Sequence, residues 1–463
     1  MSQQPNDNVS MSKEQALQLL NQAWEDEVVP RLPATLQQQA EAMGVFSRKR
    51  AFSDMRAVLR GLLAYILGIY SFKQLGLWAT LIGLANISDT AWRKRLLKAS
   101  LWLEWVIAEL LAVPTPASET IPAVSGRILL IDATYLNQPG SSGGKWCLHQ
   151  AYNVLTGRLC QIEVTDRHRG ESLKHFVLLA GDIAVADQGY GYRRSVALAS
   201  QQKADVVLRI HPPTFPLVGE DESEIQVGAW LRQTEAQGQV QASRTAWCWW
   251  EEERYAVRVI IHRLSEAAAA KARKRVRDNA RKQGYTPSQE ALYLADWLVL
   301  VTTLPQEPWG DEEVLRLYRA RWQVELFFKR MKSIADLAQL RCLRPEGVQA
   351  TIRAWLVAWL LQEEEQADLR ALLEAAGVPQ TLEHPDLAVR PISRWSVTQL
   401  SVETLRHQVL GYWTYERVQV CYRLLGRYLR WSPRKKRRQQ EALLHDWLAP
   451  GPLLSQPPQE AVA

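Results

Sequence analysis

The stretch Tyr318-Arg-Ala-Arg321-Trp-Gln-Val-Glu325-Leu-Phe-Phe-Lys-Arg-Met-Lys332 sets a tyrosine, an arginine, a glutamate and a lysine at successive steps of three, four and seven residues. On an α-helix, with Tyr318 at zero, a turn of about 100° per residue puts Arg321, Glu325 and Lys332 at about 300°, 340° and 320°. The four therefore share roughly 60° of arc, a single polar stripe along one predicted helix. Leu317, Val324, Phe327, Phe328 and Met331 run beside it, the face that a core would bury. A carboxylate framed by two cations and a phenol suits a surface that takes a phosphodiester and a metal together. The plain alternative is an amphipathic helix whose solvated side carries Glu and Lys, and the helix alone does not separate the two.

Upstream, two aspartates change the balance. Arg127-Ile-Leu-Leu-Ile-Asp132-Ala-Thr-Tyr135 is a short aliphatic run closing on an aspartate. Lys145–Asn153, a turn at Thr156-Gly157 and Leu159–Thr165 then read as consecutive antiparallel strands. Glu171–Ala180 reads as a helix. Asp182-Ile-Ala-Val-Ala-Asp187-Gln-Gly-Tyr-Gly191 reads as a strand delivering a second aspartate into a glycine-rich loop. Arg193–Lys203 is predicted helical and Ala204–Ile210 a further strand. This order, with aspartates after the first and fourth strands, is that of the ribonuclease H-like fold, an α/β core with a mixed five-stranded sheet. The helix carrying Glu325 would close it.

The predicted organisation follows. Residues 1–114 form a helical N-terminal DNA-binding region, in which Val58, Leu59, Leu62, Leu63, Ile66 and Leu67 recur at helical spacing. Within it, Ser88-Asp89-Thr90 caps a basic helix that runs to Lys98. Pro114–Pro122 is a linker. Residues 123–210 are the first part of the core, 211–305 a β-rich insertion, and 306–375 the second part with the Glu325 helix. The insertion contains strand-like segments at Gln239–Glu251, Tyr255–Arg263 and Asp296–Thr302, and a basic helix near 271–283. Residues 376–448 form a helical C-terminal region for DNA binding and dimerisation, and 449–463 a disordered tail.

Composition supports a nucleic-acid partner. The chain has 463 residues, enough for two or three domains, and 47% of them are apolar. Lys plus Arg number 56 against 49 for Asp plus Glu, and the excess is concentrated at Arg48-Lys49-Arg50, Lys271–Arg277 and Arg434–Arg438. Such clusters attract a polyanion by releasing its counterions. The five scattered cysteines form no C-x-x-C pair, which argues against both a disulfide framework and a zinc site. No signal peptide or membrane-spanning run is evident, so a cytoplasmic, nucleoid-associated protein is expected.

Three carboxylates distant in sequence, each at the lip of one sheet, are what a two-metal phosphodiester site needs. Hard divalent cations prefer oxygen ligands, and two ions roughly 4 Å apart activate the attacking oxygen and stabilise the leaving one. Asp132 would bridge both ions, with Asp187 and Glu325 each completing one.

The same residues resemble a known family. Tyr318, Arg321, Glu325 and Lys332 fit the Tyr-x2-Arg-x3-Glu-x6-Lys signature of bacterial insertion-sequence DDE transposases of the insertion-sequence-four family. Ile131-Asp132-Ala-Thr and Ala186-Asp187-Gln-Gly-Tyr-Gly191 resemble that family's two aspartate motifs. The resemblance covers roughly residues 50 to 440. It implies cut-and-paste transposition: hydrolysis at the element's end, a hairpin formed by the freed 3′ hydroxyl, and strand transfer into target DNA. It implies two Mg²⁺ ions, with Mn²⁺ able to substitute, and a homodimer on the terminal repeats and target DNA. Arg321 and Lys332 would hold terminal phosphates and Tyr318 the adjacent DNA end. In this family a flipped base stacks on a tryptophan of the insertion, and Trp297 resembles that position; a packed core tryptophan is the alternative. Two rival readings use the same residues. One is a ribonuclease H-like nuclease or resolvase, and the other is a catalytically silent, transposase-derived repressor.

Overall fold

Residues 13–45, 52, 54–112, 126–140, 144–335, 337, 340–375 and 394–411 are described by a computed structural model of the chain. The basic run 48–50, the linker 114–122, Cys421, the arginine-rich run 434–438 and the tail from 449 lie outside the described residues. The chain divides into two compact units. One takes the described residues of 1–114, 136–146 and 328–433, and the other those of 115–135 and 147–327.

The eight strands are β1 (Ile128–Asn137), β2 (Gly144–Asn153), β3 (Arg158–Asp166), β4 (Ile183–Ala186), β5 (Asp205–Arg209), β6 (Gln241–Trp250), β7 (Glu253–Arg263) and β8 (Trp297–Thr302). They form one sheet in the order β3-β2-β1-β4-β5-β8-β7-β6. The sheet is mixed: β1 pairs parallel with β4 and β4 with β5, whereas β8 is antiparallel to both β5 and β7. Ile128–Ile131 and Ile183–Ala186 are buried throughout, as unbroken aliphatic runs require at the centre of a sheet covered on both faces. The expected five strands thus belong to a sheet of eight. Strands β6, β7 and β8 of the 211–305 stretch continue that sheet past β5, because each finds unpaired backbone at the edge of the strand before it.

Sequence periodicity misjudged two helices. Glu171–Ala180 holds only a single 3₁₀ turn, Leu173–His175. Its backbone is satisfied by distant side chains instead: Gln161 accepts from Val177 N at 2.7 Å and donates to Val177 O at 2.8 Å, and buried Asp182 accepts from Leu179 N at 2.8 Å. The stretch from Tyr318 to Lys332 is also not one helix.

The remaining α elements of this unit are α7 (Arg193–Gln201), α8 (Val227–Ala236), α9 (Glu266–Gln283), α10 (Gln289–Leu294), α11 (Asp311–Ala320) and the start of α12 (Trp322–Ile334). At Arg321, between α11 and α12, the backbone bonds tighten to three-residue spacing: Arg321 N donates to Tyr318 O and Val324 N to Arg321 O. A 3₁₀ turn winds faster than an α-helix, so the stripe bends at Arg321.

The other unit contains α1 (Lys13–Ala23), α2 (Leu36–Ala42), α3 (Met55–Leu67), α4 (Phe72–Leu81), α5 (Asp89–Lys98), α6 (Ser100–Leu111), α13 (Pro345–Ala375) and α14 (Arg394–Leu410). Ser88 caps α5, its hydroxyl accepting from Ala91 N at 3.2 Å. Leu59, Leu62 and Leu63 of α3 are fully buried, and Gly61 lets the Trp92 ring pack where a Cβ would stand. Helix α13 packs on α6, α3 and α14. The N-terminal helices and the helices after residue 345 therefore share one core.

Candidate active site

Strand pairing fixes where the two aspartates emerge. The β1–β4 register ends at Ile131↔Ala186; Asp132, still within β1, and Asp187, just past β4, come next. Neighbouring strands lie about 4.8 Å apart, so the two carboxylates leave one edge of the sheet side by side. Asp132 Oδ1 accepts from Ala133 N at 2.8 Å, and Asp187 Oδ1 accepts from Gly189 N at 2.9 Å, capping the 3₁₀ turn Gln188–Tyr190. These local bonds orient both side chains.

Arg321 joins this edge to Glu325. Its Nη1 lies 3.6 Å from Asp132 Oδ2 and its Nη2 donates to Glu325 Oε1 at 2.8 Å. The Tyr318 ring sits 5.7 Å from the guanidinium carbon. Burial pushes the Asp132 carboxyl up to about 7 against the pull of Arg321, and the charges of Asp187 and Glu171 add to the rise. Burial opposes charge on Arg321, yet Tyr318, Asp132 and Glu325 hold its pKa above the ordinary value.

The sequence profile of the transposase DDE domain matches residues 124–361. The chain is 31% identical over 349 residues to the transposase for insertion sequence element IS421 of Escherichia coli, covering 72% of this chain and 90% of that one. The same identity and coverages hold, over 348 residues, for the protein InsL of insertion sequence element IS186A of Escherichia coli K12. The transposase for IS231E of Bacillus thuringiensis subsp. finitimus is 25% identical over 313 residues, 60% of this chain and 65% of that one. The chain belongs to the DDE transposase family.

DDE transposase domains use divalent metal ions, and the oxygen-only donors here suit a hard cation. Asp132, Asp187 and Glu171 also gather negative charge in a desolvated place, which a cation relieves. Among the described residues, however, no three His, Cys, Asp or Glu side chains converge closely enough to hold an ion. Asp132 and Glu325 are instead both paired with the Arg321 guanidinium.

The structure brings Asp132, Asp187, Tyr318, Arg321 and Glu325 of the transposase together. Lys332 follows Glu325 by seven residues on α12, in its last turn. Trp297 begins β8 and is buried in the sheet's core, 2% exposed, with the Arg263 guanidinium 5.9 Å from its ring centre. Among the tryptophans of that stretch, Trp249 is 37% exposed.

Two residues of this edge escaped the sequence reading. Glu171 packs against Gly189, so closely that a Cβ there would collide with its Oε2. Tyr190 is fully buried, its hydroxyl has no hydrogen-bond partner among the described residues, and Glu171, Asp132 and Asp187 all act on it electrostatically. The only sequence signal was the glycine at 189, which leaves room for Glu171.

Proposed function

We propose that this transposase cuts DNA at the ends of an insertion sequence and joins the freed ends to target DNA, with Asp132, Asp187 and Glu325 as its metal-holding carboxylates. The observation that carries this reading is the exit of Asp132 and Asp187 from adjacent parallel strands at one level, with Arg321 linking Asp132 to Glu325. Bound divalent ions, two Mg²⁺ on this reading, would supply the Lewis acidity for water and then a 3′ hydroxyl to attack phosphorus.

The chain's own side chains do the rest. Arg321 balances the charge of Asp132 and Glu325 in the absence of DNA, and a terminal phosphate is the natural competitor for its guanidinium, which binds oxyanions in a fork. Tyr318 packs beside that guanidinium and limits its swing, and Lys332 adds a second cation toward the terminal phosphates. In this reading β3-β2-β1-β4-β5 is the ribonuclease H-like core and 211–305 its insertion. The reaction is cut-and-paste through a hairpin, carried out by a homodimer in the bacterial cytoplasm. No helix among the described residues is long and apolar enough to cross a membrane.

Strand transfer separates this function from its rivals. Full-length protein, a pre-cut duplex carrying the element's 3′ end and a supercoiled plasmid are incubated in Mg²⁺. A covalent joint between the end and the plasmid is expected. Nicked plasmid with no joint would identify a nuclease, and a bound end with neither product a silent repressor.

A further inference from the structure

Helix α9 has no part in the site described above, yet it carries the largest net charge of any described element of its unit. Its sequence, EAAAAKARKRVRDNARKQ, carries seven cations and two acids. The buried residues are Ala269 and Ala280, about 160° and 180° round the helix from Lys271. Arg273 lies on the same inner side and ties the helix down, reaching Asp296 at 2.5 Å, and it also pairs with Glu266 at the helix's own start at 2.5 Å. The opposite side presents Lys271, Lys274, Arg275 and Lys282, all exposed and in no ion pair among the described residues. They occupy about 100° of arc and run about 16 Å along the axis. The one acid in that arc, Asp278, is paired with Arg281 at 3.2 Å.

Strand register places both ends of the crossover that carries this stripe on the edge of the sheet that bears the aspartates. β4 and β5 run parallel, with Ala186 opposite Leu208, so Arg209 ends β5 level with Asp187. Arg209 pairs with Leu300 of β8, and Leu300 with Ile260 of β7. β7 then runs three residues farther out, to Arg263 opposite Trp297. The crossover 264–296, which contains α9, therefore leaves and re-enters the sheet at the same edge as Asp132 and Asp187. Four strand spacings separate β1 from β7, about 19 Å. That is the length of five or six base pairs at about 3.4 Å each.

We infer that the exposed face of α9 is a rail for duplex DNA outside the element, gripping its phosphates on either strand while the scissile phosphate lies at Asp132. The stripe is built of point-charge cations with no Asn or Gln among them, which suits backbone contact and carries no sequence information. DNA outside the element is the part whose sequence varies from one insertion to the next. The inference rests on the transposase reading above.

The test is binding of full-length protein to a random-sequence duplex across a NaCl series, for wild type and K271Q/K274Q/R275Q/K282Q. Each lost phosphate contact lowers the slope of log affinity against log salt by about 0.9, so a fall of about 3 to 4 is expected. The charge-keeping variant K271R/K274R/K282R should retain the wild-type slope. An unchanged slope in the Gln variant would overturn the inference, as would a fall confined to duplexes carrying the element's end, or a similar fall in the Arg variant. Wild type that binds neither duplex would instead sink the transposase site itself.

Discussion

Asp132→Asn, Asp187→Asn and Glu325→Gln are each expected to slow nicking at the element's end by about a thousandfold or more, with duplex binding kept. A thousandfold corresponds to about 4 kcal/mol of lost transition-state stabilisation, within reach of one removed metal-holding charge. The amides preserve shape and can still accept from Ala133 N and Gly189 N, the bonds that orient both aspartates. Arg321 also keeps a partner in each single variant, because it bridges Asp132 and Glu325. Binding should hold because each change removes a negative charge from a surface that faces phosphates. Single-turnover nicking and filter binding on the same preparations check both halves. Full nicking by any one variant would remove that residue from the site.

Trp297→Ala is expected to destabilise the β-containing unit by about 3 to 5 kcal/mol, the range for deleting a buried aromatic. Trp297 is 2% exposed and packs in the core formed along β8 with Val299 and Val301. A tryptophan held ready for a flipped base would behave differently. Its removal would leave the urea midpoint almost unchanged and slow hairpin formation more than the first nick. Trp297→Phe, which keeps most of the packing, should recover most of the stability. Urea unfolding of the three proteins, followed by nicking and hairpin assays on those that remain folded, separates the two roles.

What was legible in the sequence was mostly what neighbouring residues decide. Ile128–Ile131 and Ile183–Ala186 are short aliphatic runs followed by aspartate, and both lie in central strands; Asp187 directly follows β4, whereas β1 continues past Asp132 to Asn137, so the expected strand end at Asp132 is not there. The basic helix near 271–283 was equally plain, because its alanines and cations recur with helical spacing. Partners distant in sequence decided the rest. Glu171–Ala180 has a helical pattern, but Gln161 and Asp182 claim its backbone groups. That β6, β7 and β8 extend the sheet follows from pairing with β5, which no local period encodes. The turn at Arg321 shifts the helix by a fraction of a turn, below what a residue count can detect. Glu171 meets Gly189 only through the fold.

The carboxylates of one sheet edge are the centre of the proposed mechanism, and their metal can be located directly. Fe²⁺ in place of Mg²⁺, with ascorbate and peroxide, generates hydroxyl radicals that cut the backbone beside the bound ion. Cuts near residues 132, 187 and 325 are expected, suppressed by excess Mg²⁺ and lost in Asp132→Asn. Cuts elsewhere, or cuts that persist unchanged in Asp132→Asn, would contradict the assignment of the site.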